Sequence, residues 1–165
     1  MKYNLIPYGL FRTLSQHTLR NDNIKEAATL STDSTSDFVF LVVDDSPHLR
    51  ALVSTYIRKA GYTNILTASS GLEGLEQYKI SRPDIVFLDV VMPEVDGVTT
   101  LREIRSFDSN ATIVMTTSIS SRETVLQLKE AGAYSYLLKP FEEAKFRDIL
   151  QRTIAYVAEL KKQRE

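Results

Sequence analysis

The chain has 165 residues, 43% of them hydrophobic and 25% charged, with a formal net charge of -1. That length and balance describe one ordinary globular domain with a modest extension, and they exclude an overall basic field that draws a chain onto nucleic acid or an anionic membrane. The absence of cysteine rules out a disulfide framework, a thiolate nucleophile and a Cys-type zinc site.

The first run, Leu5 to Leu14, is broken by Pro7, Gly9 and Arg12, and no small-residue cleavage site follows it, so it does not read as a signal peptide. No stretch approaches the roughly 20 apolar residues that span a bilayer, so the expectation is a soluble, cytoplasmic protein without membrane insertion. Leu10, Phe11 and Leu14 can share a helical face, and residues 1–37 read as a flexible extension or a docking arm. Five of the seven residues from Ser31 to Asp37 are Ser or Thr, a linker composition that gives way to the apolar run Phe38 to Val43.

From there five apolar runs alternate with amphipathic ones. The predicted strands are Phe38 to Val43, Asn64 to Ala68, Ile85 to Leu88, Thr112 to Thr116 and Tyr134 to Leu138, most without polar alternation, as strands covered on both faces require. The first helix begins where Ser46 can cap it and Pro47 suits its first turn. It ends before Gly61, and Leu49, Leu52, Val53 and Ile57 form its apolar face. Breakers bracket three more helices, Gly71 to Arg82, Val98 to Ser106 and Ser121 to Ala131. The last, Phe141 to Lys162, carries Phe146, Ile149, Leu150, Ile154 and Val157 at helical spacing, and residues 161–165 form a charged end. Strict strand–helix alternation predicts a three-layer α/β domain over residues 38–160 with a five-stranded parallel sheet. With the flavodoxin-like strand order 2-1-3-4-5, the order reverses between the first and third strands, and ligands bind beyond the strands' carboxyl ends at that point.

The residues that end the strands are therefore the candidates. Asp44 and Asp45 end the first, Asp89 the third, Thr116, Thr117 and Ser118 the fourth, and Lys139 and Pro140 the fifth. Three carboxylates brought together repel one another unless a proton or a cation compensates. Hard oxygen donors favour Mg²⁺, which keeps positions open for water and phosphoryl oxygens. A carboxylate can act as a nucleophile toward phosphorus, and Lys139 and the Thr117 hydroxyl add donors aimed at oxygen. Each of these residues taken singly has a plainer reading: Asp44 and Asp45 as a helix cap, Lys139 as a solvated lysine, Thr117 as a strand end. His17 and His48 are assigned no role.

The segments Val42-Val43-Asp44-Asp45-Ser46, Phe87-Leu88-Asp89-Val90-Val91-Met92-Pro93 with Asp96-Gly97, Thr117, and Tyr136-Leu137-Leu138-Lys139-Pro140-Phe141 resemble response-regulator receiver domains of two-component systems, of the single-domain chemotaxis type. Their order and spacing match as well. The resemblance implies a phosphoacceptor rather than an enzyme, with Asp89 accepting a phosphoryl group from a histidine kinase or a histidine phosphotransfer protein. It implies Mg²⁺ held by Asp45, Asp89 and the Val91 carbonyl, with Asp44 acting through water, and Lys139 clamping a phosphoryl oxygen. Thr117 and Tyr136 are the implied switch residues. Their movement alters the face made by the fourth helix, fifth strand and fifth helix, which binds a downstream protein target and not nucleic acid. The Lys139–Pro140 bond is expected to be cis.

Ser118, Val91 and Ile119 depart from the commonest pattern. The two apolar residues stand where faster-cycling relatives often carry polar ones, which predicts slow autodephosphorylation. A phosphorylation-independent pseudo-receiver is the alternative function, disfavoured by the intact acidic cluster, Thr117 and Lys139. A Mg²⁺-dependent phosphatase with an aspartyl nucleophile needs a second aspartate two residues on, where this chain has Val91. A flavin binder needs a glycine- and hydroxyl-rich loop where this chain is acidic.

Overall fold

The computed structural model describes residues 38–163. The proposed extension at 1–37, with Leu10, Phe11, Leu14 and His17, lies outside the described residues, as do the last two positions of the charged end. Strands and helices alternate without exception: β1 (Phe40–Val43), α1 (Pro47–Lys59), β2 (Ile65–Ala68), α2 (Gly71–Ser81), β3 (Ile85–Asp89), α3 (Gly97–Phe107), β4 (Ile113–Thr117), α4 (Arg122–Glu130), β5 (Ser135–Leu138) and α5 (Glu143–Lys162). All four strand pairings are parallel, and the sheet order is β2-β1-β3-β4-β5. The parallel sheet is the one that strict alternation predicts, and its order is the expected flavodoxin-like one.

Side chains alternate across the sheet and divide the core into two halves. Phe40, Val42, Ile85, Phe87, Val114 and Leu137 pack with Val53 and Ile57 of α1 and Phe146, Leu150 and Val157 of α5. Leu41, Val43, Val86, Leu88, Ile113 and Met115 pack on the other face with Tyr78 of α2, Leu101 and Ile104 of α3 and Leu128 of α4. β1, β3 and β4 are buried along their whole length, while the edge strands β2 and β5 are only partly so. The unbroken apolar runs of the central strands follow from that double coverage.

The helices start where their caps allow. Ser46, Ser70, Asp96 and Ser121 each accept a hydrogen bond from the backbone N–H three residues on, at the starts of α1, α2, α3 and α4. Most boundaries differ from expectation by one or two residues, two of them at the starts of α3 and α5. Asp96 is the cap of α3, so Gly97 rather than Val98 is its first residue. Pro140, Phe141 and Glu142 run ahead of α5, whose first helical residue is Glu143. Gly61 and Gly132 take φ of 97° and 92° at the exits of α1 and α4, a conformation that glycine enters at little cost. The apolar face of α1 differs from expectation: Val53 and Ile57 are buried, but Leu49 and Leu52 are only partly covered and Ser54 is buried in their stead. No helix among the described residues is long and apolar enough to cross a membrane.

Candidate functional site

Parallel pairing fixes which residues meet at the carboxyl edge of the sheet. Val43 is level with Leu88 across β1 and β3, so the next residues, Asp44 and Asp89, stand side by side where the strand order reverses. Asp89 is level with Thr116 of β4, and Thr117 with Leu138 of β5, which brings Thr117 and Lys139 to the same edge. The Lys139 backbone N–H donates to the Thr117 carbonyl at 2.7 Å, and the Lys139–Pro140 peptide bond is cis.

The three carboxylates converge. Asp44, Asp45 and Asp89 offer oxygen atoms that all lie within 4.8 Å of one another, a donor set and spacing suited to one hard divalent cation. Asp44 and Asp89 are buried and Asp45 is exposed, so the cluster opens to solvent on one side. The Lys139 ammonium reaches into it, donating to Asp44 Oδ2 at 2.7 Å and lying 3.0 Å from Asp89 Oδ1. One ammonium therefore serves two buried carboxylates. Burial pushes the Asp89 carboxyl above its ordinary range, Lys139 pulls it down by hydrogen bond and charge, Asp44 pushes it up and a hydrogen bond from the Val91 backbone N–H pulls it down; the net direction is upward.

The remaining sequence candidates are near but differently engaged. Thr117 is fully buried, and its hydroxyl accepts from the Ile119 backbone N–H at 3.0 Å, closing a local turn. Val91 is 54% exposed and Ile119 42% exposed, in the loops that follow β3 and β4. Tyr136 is half-buried, packed against the Leu41–Leu128 half of the core. His48 is exposed on the first turn of α1.

Gly97 holds the floor of the site together. Its backbone N–H donates to the Val90 carbonyl at 2.9 Å, and a Cβ at this position would collide with the Asp89 carbonyl oxygen. The close approach of α3 to the end of β3 thus requires glycine. Arg50 was not legible as part of the site. Its guanidinium donates to the Asp44 carbonyl at 2.6 Å and to the Asp45 carbonyl at 3.1 Å. An arginine on the second turn of a helix ordinarily reads as solvated, and only the packed loop shows where it reaches.

The response regulator receiver domain model matches residues 40–151, the stretch that carries every group just described. The chain belongs to the response regulator receiver domain family. This receiver is 32% identical over 114 residues to the chemotaxis protein CheY of Bacillus subtilis, covering 69% of this chain and 95% of that one. It is 35% identical over 112 residues to the CheY of Thermotoga maritima, covering 68% and 93%. Among solved structures, the CheX-CheY-BeF3-Mg²⁺ complex from Borrelia burgdorferi contains a chain similar at 32% identity with a TM-score of 0.69, covering 77% of this receiver and 94% of that chain.

Proposed function

We propose that this receiver is a two-component response regulator that accepts a phosphoryl group on Asp89 from a phosphohistidine in a Mg²⁺-dependent reaction. The observation that carries the reading is the convergence of three carboxylates around Asp89 with Lys139 at hydrogen-bonding distance from two of them. Residues 38–160 form the working domain, preceded by a 37-residue extension that the sequence reads as flexible or a docking arm. The protein acts in the cytoplasm, and its donor is a histidine kinase or a histidine phosphotransfer protein.

In the transfer, an Asp89 carboxylate oxygen forms the new O–P bond while the N–P bond of phosphohistidine breaks. The imidazole leaves with the electron pair and takes up a proton from solvent. Asp45, Asp89 and the Val91 carbonyl hold Mg²⁺, with Asp44 acting through water, and the bound ion supplies charge neutralisation at the phosphoryl oxygens. That assignment is supported by the oxygen-only donor set and by the Mg²⁺ and beryllium fluoride of the similar CheY complex. Trifluoroberyllate bound to a carboxylate is tetrahedral like a phosphoryl group. Lys139 exchanges part of its contact with Asp44 and Asp89 for a phosphoryl oxygen, so that one ammonium continues to balance the charge.

Output follows from the same groups. Once a phosphoryl oxygen competes for it, the Thr117 hydroxyl leaves its turn with Ile119 and donates to the new group. Tyr136, half-buried on β5 and level with Met115 of β4, turns inward and changes the surface of α4, β5 and α5 that a downstream protein reads. Leu126 of α4 and Tyr156 of α5 are exposed apolar side chains of those elements.

The test is intact mass after incubation with acetyl phosphate and Mg²⁺, beside Asp89→Asn. The expected result is a labile gain of one phosphoryl group that the variant lacks. A folded protein that gains nothing from acetyl phosphate or from a phosphorylated histidine partner overturns the proposal in favour of a phosphorylation-independent interaction module.

A further inference from the structure

The two metal-side aspartates are held by different means. Every polar atom of Asp44 has a partner: its N–H donates to the Ala68 carbonyl at 3.2 Å, Oδ1 accepts from the Ser46 N–H at 2.9 Å, Oδ2 accepts from Lys139 at 2.7 Å and its carbonyl accepts from Arg50 at 2.6 Å. Asp45 is exposed, and among the described residues its carboxylate accepts no hydrogen bond. Its contact with the rest of the loop is the hydrogen bond from Arg50 to its carbonyl at 3.1 Å.

We propose that Arg50 is a positioning residue for the divalent cation, fixing the direction of the Asp45 carboxylate by holding the two peptide planes on either side of the Asp45 Cα. The Asp44 carbonyl belongs to the peptide before that Cα and the Asp45 carbonyl to the peptide after it. One guanidinium nitrogen, Nη1, donates to both. Anchoring both planes fixes φ and ψ of Asp45 together, and φ and ψ set where Cβ points. The guanidinium is always protonated, so both hydrogen bonds are charge-assisted at any working pH.

The inference rests on the Mg²⁺ reading, and charge and position pull in opposite directions, which makes it testable. A cation close to a cation site weakens metal binding by repulsion, so if Arg50 acted by charge alone, its removal would tighten Mg²⁺ binding. If it acts by positioning, removal weakens binding, and partners that orient metal ligands typically account for about tenfold or more in affinity.

The experiment is calorimetric titration of Mg²⁺ into the full chain and its Arg50→Gln and Arg50→Lys variants, with unfolding midpoints in EDTA to separate folding from binding. The expected result is binding about tenfold weaker in R50Q, with R50K between R50Q and wild type because lysine returns a cationic donor without the planar fork. An R50Q affinity within about a factor of two of wild type, or tighter, overturns the proposal. Should R50Q fail to fold, R50K decides: binding about threefold weaker supports the proposal and unchanged affinity overturns it. A wild-type chain that takes up no Mg²⁺ defeats the metal reading and the positioning role with it, whereas wild-type binding with unaltered variants defeats the positioning role alone.

Discussion

Replacing Asp89 with asparagine is expected to make the metal-free protein more stable while abolishing its phosphorylation. Three carboxylates meet at the site while the Lys139 ammonium pairs with two of them and Arg50 bonds to the loop carbonyls rather than to a carboxylate, which leaves the cluster with net negative charge. The Asp89 side chain is 7% exposed, so water screens little of that repulsion. Its carboxyl is raised in the folded state, first by burial and then by Asp44, against the opposing pull of Lys139 and the Val91 N–H. The folded chain therefore binds the Asp89 proton more tightly than the unfolded chain, whose aspartates titrate near about 3.9. Stability attributable to this group falls as pH rises from that unfolded value through the raised folded one, and the deficit is complete above it. Asparagine keeps the shape and removes the charge, and Lys139 retains Asp44. The expected gain at neutral pH is about 1 to 2 kcal/mol, the scale of relieving a strained functional site, or roughly 3 to 8 °C in unfolding midpoint for a domain of this size. Urea denaturation in EDTA, followed by far-ultraviolet circular dichroism, measures it. The gain should shrink as the pH is lowered from about 7 toward 4. Under the proposed function, in which the ion binds the native carboxylates, saturating Mg²⁺ should stabilise the wild type more than the variant. A variant less stable than wild type at neutral pH in EDTA, or a gain that does not depend on pH, refutes the reasoning.

Gly97→Ala places a Cβ against the Asp89 carbonyl oxygen, and pushing α3 away from β3 is expected to cost about 1 to 3 kcal/mol or more, read as a lower urea midpoint together with slower phosphorylation. Ser54 is buried with no hydrogen-bond partner for its hydroxyl among the described residues. Ser54→Ala should raise the unfolding free energy by about 1 kcal/mol, since it removes an unsatisfied oxygen and improves helix propensity, and a loss in thermal melts would contradict that account. Val91 and Ile119 are exposed apolar residues in the loops that follow β3 and β4, where faster-cycling relatives often carry polar ones, so the phosphorylated protein should hydrolyse slowly. Val91→Asn with Ile119→Glu should shorten its half-life on the order of tenfold or more by offering polar groups to an in-line water; a wild-type half-life of seconds would count against the idea.

How much of the molecule was legible in the sequence depends on whether the cause was local. Strand and helix order followed from hydrophobic period and from cap residues such as Ser46, Asp96 and Gly132, because each acts within a few residues of itself. The unbroken runs of β1, β3 and β4 signalled coverage on both faces, and the parallel sheet followed from strict alternation. The meeting of Asp44, Asp45, Asp89, Thr117 and Lys139 at one edge was readable because strand ends are local and the order reversal gathers them. Only the tertiary structure decided what those groups touch. Lys139 lies between Asp44 and Asp89, the Thr117 hydroxyl is turned into its own loop, and Tyr136 is half-buried, all set by contacts between segments distant in sequence. The face of α1 shows the same limit. Helical period marks Leu49 and Leu52 as apolar but does not say how far the neighbouring layer extends, and Ser54 is buried where that layer closes over it. Arg50 is the clearest case: a long side chain has several directions open to it, and two carbonyl groups left without partners ahead of α1 selected one.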